Sequence, residues 1–164
     1  MKTFLEFINE QAGNTEKSLY VHRPLLNARD VASWAKSQGF RSTVPPEEMH
    51  VTVTYSKKPV DWKKMPRHEP IVKSLGGNRS VSVLGKEGAI VLHFEDPALQ
   101  LHHKAFVDAG CSHDYPDYLT HVTISYAGGP NDLMQVYPYS GPLHFGPEVR
   151  KEIKGSYVPG PEVK

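Results

Sequence analysis

The sequence predicts an α+β domain in which one strand–helix–strand unit occurs twice, and three observations lead there. The chain has 164 residues, the size of one ordinary domain. Thirteen Gly and fourteen Pro, about one residue in six against a background near one in eight, favour many turns over a long helical bundle. Finally, His50-Val51-Thr52-Val53-Thr54-Tyr55 matches His121-Val122-Thr123-Ile124-Ser125-Tyr126 at an offset of 71 residues, the self-similarity expected of a duplicated unit.

Residues 1–17 read as a short amphipathic appendage and linker, since Phe4, Leu5 and Ile8 fall at helical spacing and the following residues are polar. Packing on the domain edge and docking to another protein are the uses open to it. A single domain spans 18–164. Its first strand is 19–23, followed by a helix at 27–36 with Asn27 as N-cap and Gly39 as its stop. Residues 49–55 are β-branched and read as a strand, and 56–70 as a loop bearing Pro and Lys. Strands 80–84 and 89–94 pair around Gly85-Lys86-Glu87-Gly88. A second helix runs over 97–109, with Pro97 suited to its first turn and Gly110 to its end. Residues 121–126 form a further strand, 136–139 and 143–154 supply late strand material, and a Pro-bearing tail completes the chain. At the offset of 71, Gly39 falls on Gly110, the strand at Tyr20 on the one at Val91, and the first helix on the second.

The charge balance of 19 Lys+Arg against 18 Asp+Glu lacks the broad positive field that gives non-specific duplex binding its affinity. A nucleic-acid ligand is therefore expected to be small and held in a site. The lone Cys111 forms no intramolecular disulfide and no cysteine pair has zinc spacing, which suits a reducing cytoplasm. No apolar run approaches membrane-spanning length.

Nine histidines stand out in this neutral chain. On a strand, side chains two apart share a face, so His50 and Thr52 point one way and Val51 and Val53 the other; the second copy repeats this with His121, Thr123, Val122 and Ile124. Two imidazoles and two hydroxyls around one cleft suit a phosphodiester. One neutral His removes a proton from the attacking oxygen, the other protonates the leaving oxygen, and the Thr hydroxyls bond the non-bridging oxygens. This chemistry needs no metal or other cofactor. Two weaker readings are a polar cross-strand pairing and a metal site joining His93 or His113 to the pair, although no ligand spacing supports the latter. His102 and His103, adjacent on a helix, diverge and read as surface or edge residues. His22, His68, His113 and His144 carry no motif.

At these residues the chain resembles the two-histidine (2H) phosphoesterase superfamily, whose signature is a pair of His-Φ-[Ser/Thr]-Φ strands. The resemblance implies a duplicated, bilobed α+β fold with two antiparallel sheets forming a central cleft and helices flanking them. Leu19-Tyr20-Val21, Trp34-Ala35-Lys36-Ser37-Gln38-Gly39-Phe40, Met49-His50-Val51-Thr52, Pro59-Val60-Asp61-Trp62 and Asp114-Tyr115-Pro116-Asp117-Tyr118 look closer to one group, the bacteriophage anti-CBASS nucleases. Those degrade cyclic oligonucleotide signals of a bacterial antiviral system. The resemblance further implies cleavage of a 3′–5′ bond in a cyclic di- or trinucleotide such as cyclic GMP-AMP, in the cytoplasm of an infected cell. His50, Thr52, His121 and Thr123 would be catalytic. No long nucleic acid or membrane would be a partner, and no motif speaks to oligomeric state.

Among candidate substrate contacts, Tyr20 is similar to a position that presents an aromatic to a base, with an ordinary strand tyrosine as the alternative. Trp62 stands among Lys57, Lys58, Lys63, Lys64 and Arg67 in a stretch that reads either as a basic lid over phosphates or as a solvated loop. Glu148 resembles a position accepting from an adenine amino group, against a surface carboxylate, and Tyr157 in the tail is a candidate cover. Two other functions remain open: a 2′,3′-cyclic phosphodiesterase acting on RNA ends, and a module that binds cyclic nucleotides without cleaving them.

Overall fold

The two-residue period of the motif strands is realised directly: Val51, Val53, Val122 and Ile124 are fully buried, while His50, Thr52, His121 and Thr123 remain half-buried on the opposite face. In the computed structural model, which describes residues 16–70, 72–115 and 117–153, the strands are β1 (Glu16–Pro24), β2 (His50–Asp61), β3 (Val72–Ser74), β4 (Arg79–Leu84), β5 (Ala89–Phe94), β6 (His121–Ser125), β7 (Leu143–Phe145) and β8 (Val149–Lys151). The helices are α1 (Ala28–Ser37) and α2 (Pro97–Asp108). The larger sheet has the order β4-β5-β6-β2-β1-β8, and β3 pairs with β7 in a small second sheet.

The larger sheet is two three-stranded halves that meet at β2 and β6. They join through the antiparallel pair Val51–Val122, which are equivalent residues of the repeat, so the pseudo-twofold axis passes between them. Val31 and Ala35 of α1 and Leu99 and Phe106 of α2 bury into one apolar cluster with the valines of β2 and β6. Both helices also end alike. Gly39 and Gly110 adopt positive φ (92° and 116°), letting Phe40 N–H reach Ala35 O and Cys111 N–H reach Phe106 O, each at 3.0 Å. No helix among the described residues is long and apolar enough to cross a membrane.

The repeat is less regular than an ungapped offset implies. In one half His22 lies opposite Thr52 and Pro24 opposite His50; in the other Val91 lies opposite Thr123 and His93 opposite His121. By pairing, β1 thus maps onto β5 at an offset of 69, two residues from the 71 that relates the helices and motif strands. An even slip preserves which face each side chain occupies. Both motif strands also carry a bulge at the same repeat position: Val53 and Ile124 have no partner between paired neighbours. The extra residue keeps Thr54 and Ser125 buried beside the core and turns Tyr55 back toward Tyr20.

Several sequence expectations need correction. His102 and His103 are 8% and 7% exposed rather than at the surface, because each has a buried acceptor: Glu148 for His102, and for His103 the carbonyl of bulged Val53, 2.7 Å away. β2 extends to Asp61 where a loop was expected, since Val60 pairs with Lys17; Pro59 sits at a second irregularity, where its missing N–H costs no ladder bond. Glu16 and Lys17, expected in the linker, already belong to β1. Residues 136–139 form no strand. Instead, Trp34 and Gln38 of the α1 region bond the Tyr137 carbonyl and N–H at 2.7 and 2.8 Å. The remainder of the appendage and the tail, including Tyr157, lie outside the described residues.

Glu148 forms the centre of a buried charge cluster. Its side chain and that of Arg23 are both 0% exposed, 3.6 Å apart, and it also contacts His102 at 2.9 Å and Arg150 at 3.1 Å and accepts from Glu69 N–H. Arg23 in turn donates to the carbonyls of Glu69, Pro70 and Gly146, tying β1 to segments far along the chain. Burial alone would raise the Glu148 carboxyl, but the bonds from His102 and Glu69 N–H and the charge of Arg150 hold it at about 2, below the ordinary 4.5. A carboxyl with a lowered folded value contributes stability that is present above 4.5 and lost as pH falls toward 2. Glu148→Ala, which leaves Arg23 buried and unpaired, is expected to lose about 3–5 kcal/mol in urea unfolding at pH 7 and to flatten the acid limb of stability against pH. A loss below 1 kcal/mol would contradict a central role for this cluster.

Candidate active site

His50 and His121 are held by the same device. His50 Nδ1 lies 2.8 Å from the Glu48 carbonyl and His121 Nδ1 lies 2.7 Å from the Leu119 carbonyl, in each case the residue two positions earlier. A carbonyl only accepts, so both neutral rings carry their proton on Nδ1 and leave a lone pair on Nε2. The anchors are equivalent in the repeat, so the pseudo-twofold includes the backbone groups that orient each ring. The register that pairs Val51 with Val122 carries His50 toward Thr123 and Thr52 toward His121. All four residues that the motifs single out therefore converge on one face of two adjacent strands.

Tyr20 lies beside them. Its hydroxyl is 3.0 Å from His50 Nε2, and its ring, 8% exposed, stacks on His22 at 4.8 Å and meets Tyr55 edge-on at 5.5 Å. Burial directs the hydroxyl, more than a ring face, at the site. The other substrate candidates are placed differently. Trp62 begins a 3₁₀ turn at the far end of β2 from His50, donating from its indole to Ser18 O at 3.2 Å with Lys17 Nζ 4.4 Å over its ring. The stretch read as a basic lid or a solvated loop is partly strand, with Lys57 and Lys58 on β2. Glu148 has no exposed side-chain surface for a base and is engaged by its protein partners.

Three residues outside the motif and substrate candidates, one of them His93, read from the sequence only as a metal ligand, belong to the surroundings of the site. The His22 ring lies 5.3 Å from that of His50, and the His93 ring 6.0 Å from that of His121. They are 71 residues apart, as are His50 and His121, but their pairing differs: His22 lies opposite Thr52 and His93 opposite His121. Burial first, then the neighbouring His50 and Lys151, push His22 down to about 4. Burial also lowers His93, whose Nε2 is 2.7 Å from Ser82 Oγ. For His121, burial lowers the value against the opposing pull of the Leu119 carbonyl, and His93 and His50 lower it further. The third residue is Tyr118, stacked on His103 at 4.0 Å, whose hydroxyl donates to the Thr52 carbonyl at 2.7 Å and so clamps the segment preceding β6 onto β2. Among the described residues no group of three or more His, Cys, Asp and Glu is arranged to hold a metal ion.

The family profile described as Anti-CBASS protein Acb1 matches residues 17–158. Proteins of that name include one from Sphingomonas paeninsulae, 44% identical over 96% of this chain and 26% of its own length, and one from Caulobacter sp. (strain RHG1), 46% identical over 84% of this chain and 23% of its own. The chain therefore spans about a quarter of these relatives. Another, from Enterobacteria phage T4, is 30% identical over 53% of this chain and 56% of its own length. Among solved structures, E. coli LigT complexed with 3′-AMP superposes with a TM-score of 0.55 over 85% of this chain and 96% of its own, and a structure described as a phosphoesterase with 0.56 over 82% and 87%. Both are 12% identical, a likeness of fold.

Two ring states are dictated by this geometry and can be read by long-range proton–nitrogen NMR of the histidines. The neutral rings of His50 and His121 are expected as the Nδ1–H tautomer. On acidification His22 is expected to stay neutral until about pH 4; protonation near the ordinary 6.5 would contradict its buried setting.

Proposed function

The chain belongs to the Anti-CBASS protein Acb1 family, and on that premise we propose that it is a metal-independent phosphodiesterase cleaving 3′–5′ bonds of cyclic di- or trinucleotides inside an infected bacterial cell. The observation that carries the reading is the pair of imidazoles anchored through Nδ1 by equivalent carbonyls. A cyclisation that uses a ribose 2′-hydroxyl needs one proton removed and one delivered on opposite sides of a phosphorus atom, which a pair of such rings can supply.

In the first step the 2′-oxygen attacks phosphorus as His121 Nε2 takes its proton. The P–O5′ bond breaks, O5′ receives the Nε2 proton of the imidazolium form of His50, and the products are a 2′,3′-cyclic phosphate and a free 5′-hydroxyl. The lowered His121 favours the neutral ring a base requires, and the Tyr20 hydroxyl, which donates to neutral His50, can accept from its protonated form. Thr52 and Thr123 donate to the non-bridging oxygens as negative charge develops there. Holding the nucleophile within the substrate supplies much of the rate advantage. Opening of the cyclic phosphate by water runs the two histidines in exchanged roles.

Product analysis with cyclic di- and trinucleotides and a 2′,3′-cyclic-phosphate-ended RNA, in the presence of EDTA, tests this reading. Turnover of the cyclic nucleotides is expected to survive chelation and to fall by about 10²–10⁴ in His50→Ala and His121→Ala and by about 10²–10³ in Thr52→Val and Thr123→Val. Cleavage of the RNA end alone would replace the substrate assignment, and recovery of intact cyclic nucleotide would make the chain a binding module. The profile of kcat/KM against pH should be bell-shaped, with its acid limb below 6.5 because His121 must be neutral; a flat profile would contradict paired histidine catalysis.

A further inference from the structure

The two halves of the large sheet differ at one corner. Where β1 leads to α1, residues 142–146 cover the strand end: Gly146 N–H donates to Pro24 O at 2.8 Å, Leu26 N–H to His144 O at 2.7 Å, and Asn27 Nδ2 to Pro142 O at 2.7 Å. Leu25 and Phe145 also form an isolated bridge there. The equivalent corner, where β5 leads to α2, has the matching strand contact, Phe94 N–H to Thr120 O at 3.1 Å against Leu25 N–H to Met49 O at 2.9 Å. Here, among the described residues, no segment takes that place, and there is a concavity of about 650 Å³. His93, Glu95, Gln100, Leu101, Tyr118 and Leu119 are among its lining residues.

We propose that this hollow holds the nucleobase of the nucleotide whose phosphate lies between His50 and His121, an inference that rests on the phosphodiesterase reading above. Its position is set by continuity, because His93 lines the hollow while its ring stands 6.0 Å from that of His121. Its chemistry is set by the lining. Leu101 and Leu119 are 68% and 48% exposed, an apolar surface suited to the faces of a flat ring. Among its described lining residues the carboxylates are Glu95 and Asp96, with no Lys or Arg, and Asp96 already caps α2 through Leu99 N–H at 3.0 Å. That rim opposes a second phosphate and favours a neutral group bearing amino donors. Glu95 already accepts from Asn78 at 3.0 Å, so its carboxylate is oriented at the rim.

Calorimetric titration with adenosine 3′-phosphate and with base-free ribose 3-phosphate, on the protein and on its Leu101→Glu and Leu101→Ala variants, tests the assignment. Leu101 is exposed on α2, so both changes leave the core intact. Adenosine 3′-phosphate should bind the unmodified protein more tightly than ribose 3-phosphate. Leu101→Glu should weaken it about tenfold and Leu101→Ala by less, with ribose 3-phosphate unchanged. Equal affinity of the two ligands for the unmodified protein, or variants that leave adenosine 3′-phosphate binding within twofold or weaken both ligands alike, would overturn the subsite. The phosphodiesterase reading fails separately, if the unmodified protein binds through the base but turns over no cyclic nucleotide.

Discussion

One backbone contact governs the molecule: the antiparallel pairing of Val51 with Val122. It joins two three-stranded halves into one sheet, and the period of a strand then settles the rest. With the two valines facing the core, every residue one step away must face the other side. His50, Thr52, His121 and Thr123 therefore share a surface, with no long-range side-chain contact needed to gather them. A slip of one residue would send the imidazoles into the apolar cluster and the valines into the cleft. Burial of Val51, Val53, Val122 and Ile124 enforces the register, so core formation and site formation are the same event.

Around that contact, irregular features do the positioning. The bulges at Val53 and Ile124 interrupt the ladders just beyond the motif residues. At Val53 the freed carbonyl is capped by His103, and His103 carries the stacked ring of Tyr118, whose hydroxyl holds the carbonyl of Thr52. α2, the segment before β6 and β2 are thereby linked by side chains close to the Val51–Val122 pair that joins β2 to β6. The buried Arg23–Glu148 cluster supports the other side of the sheet, joining β1 to the turn before β8.

What the sequence disclosed and what it withheld divide along physical lines. Alternation and the 71-residue repeat revealed both motif strands, both helices and the glycines that end them, because each of these depends on local spacing. The same spacing related His22 to His93, yet their contacts with the motif rings emerged only with the pairing, which offsets β1 from β5 by two residues. Glu148, read as a base contact or a surface carboxylate, and His102, read as a surface or edge residue, are buried because Arg23, Arg150, Glu69 N–H and His102 itself converge on the Glu148 carboxylate from elements far apart in sequence. Trp62 stood twelve residues beyond His50 in a stretch read as a loop. Continuation of β2 as paired strand instead places it at the opposite end of that strand.

The two halves also acquire their third strands by different routes. β4 joins β5 through a four-residue hairpin, so the half comprising β4, β5, α2 and β6 is one continuous stretch of chain. The other half takes β8 against β1, pairing Tyr20 with Lys151 across most of the sequence. Closing so large a loop carries an entropic cost that a hairpin avoids, and contacts of such separation form late. On a ribosome the order is imposed outright, since every strand of the contiguous half is synthesised before β8 exists. The sheet is thus completed at its β8 edge, and β1 keeps one edge unpaired until that distant partner arrives.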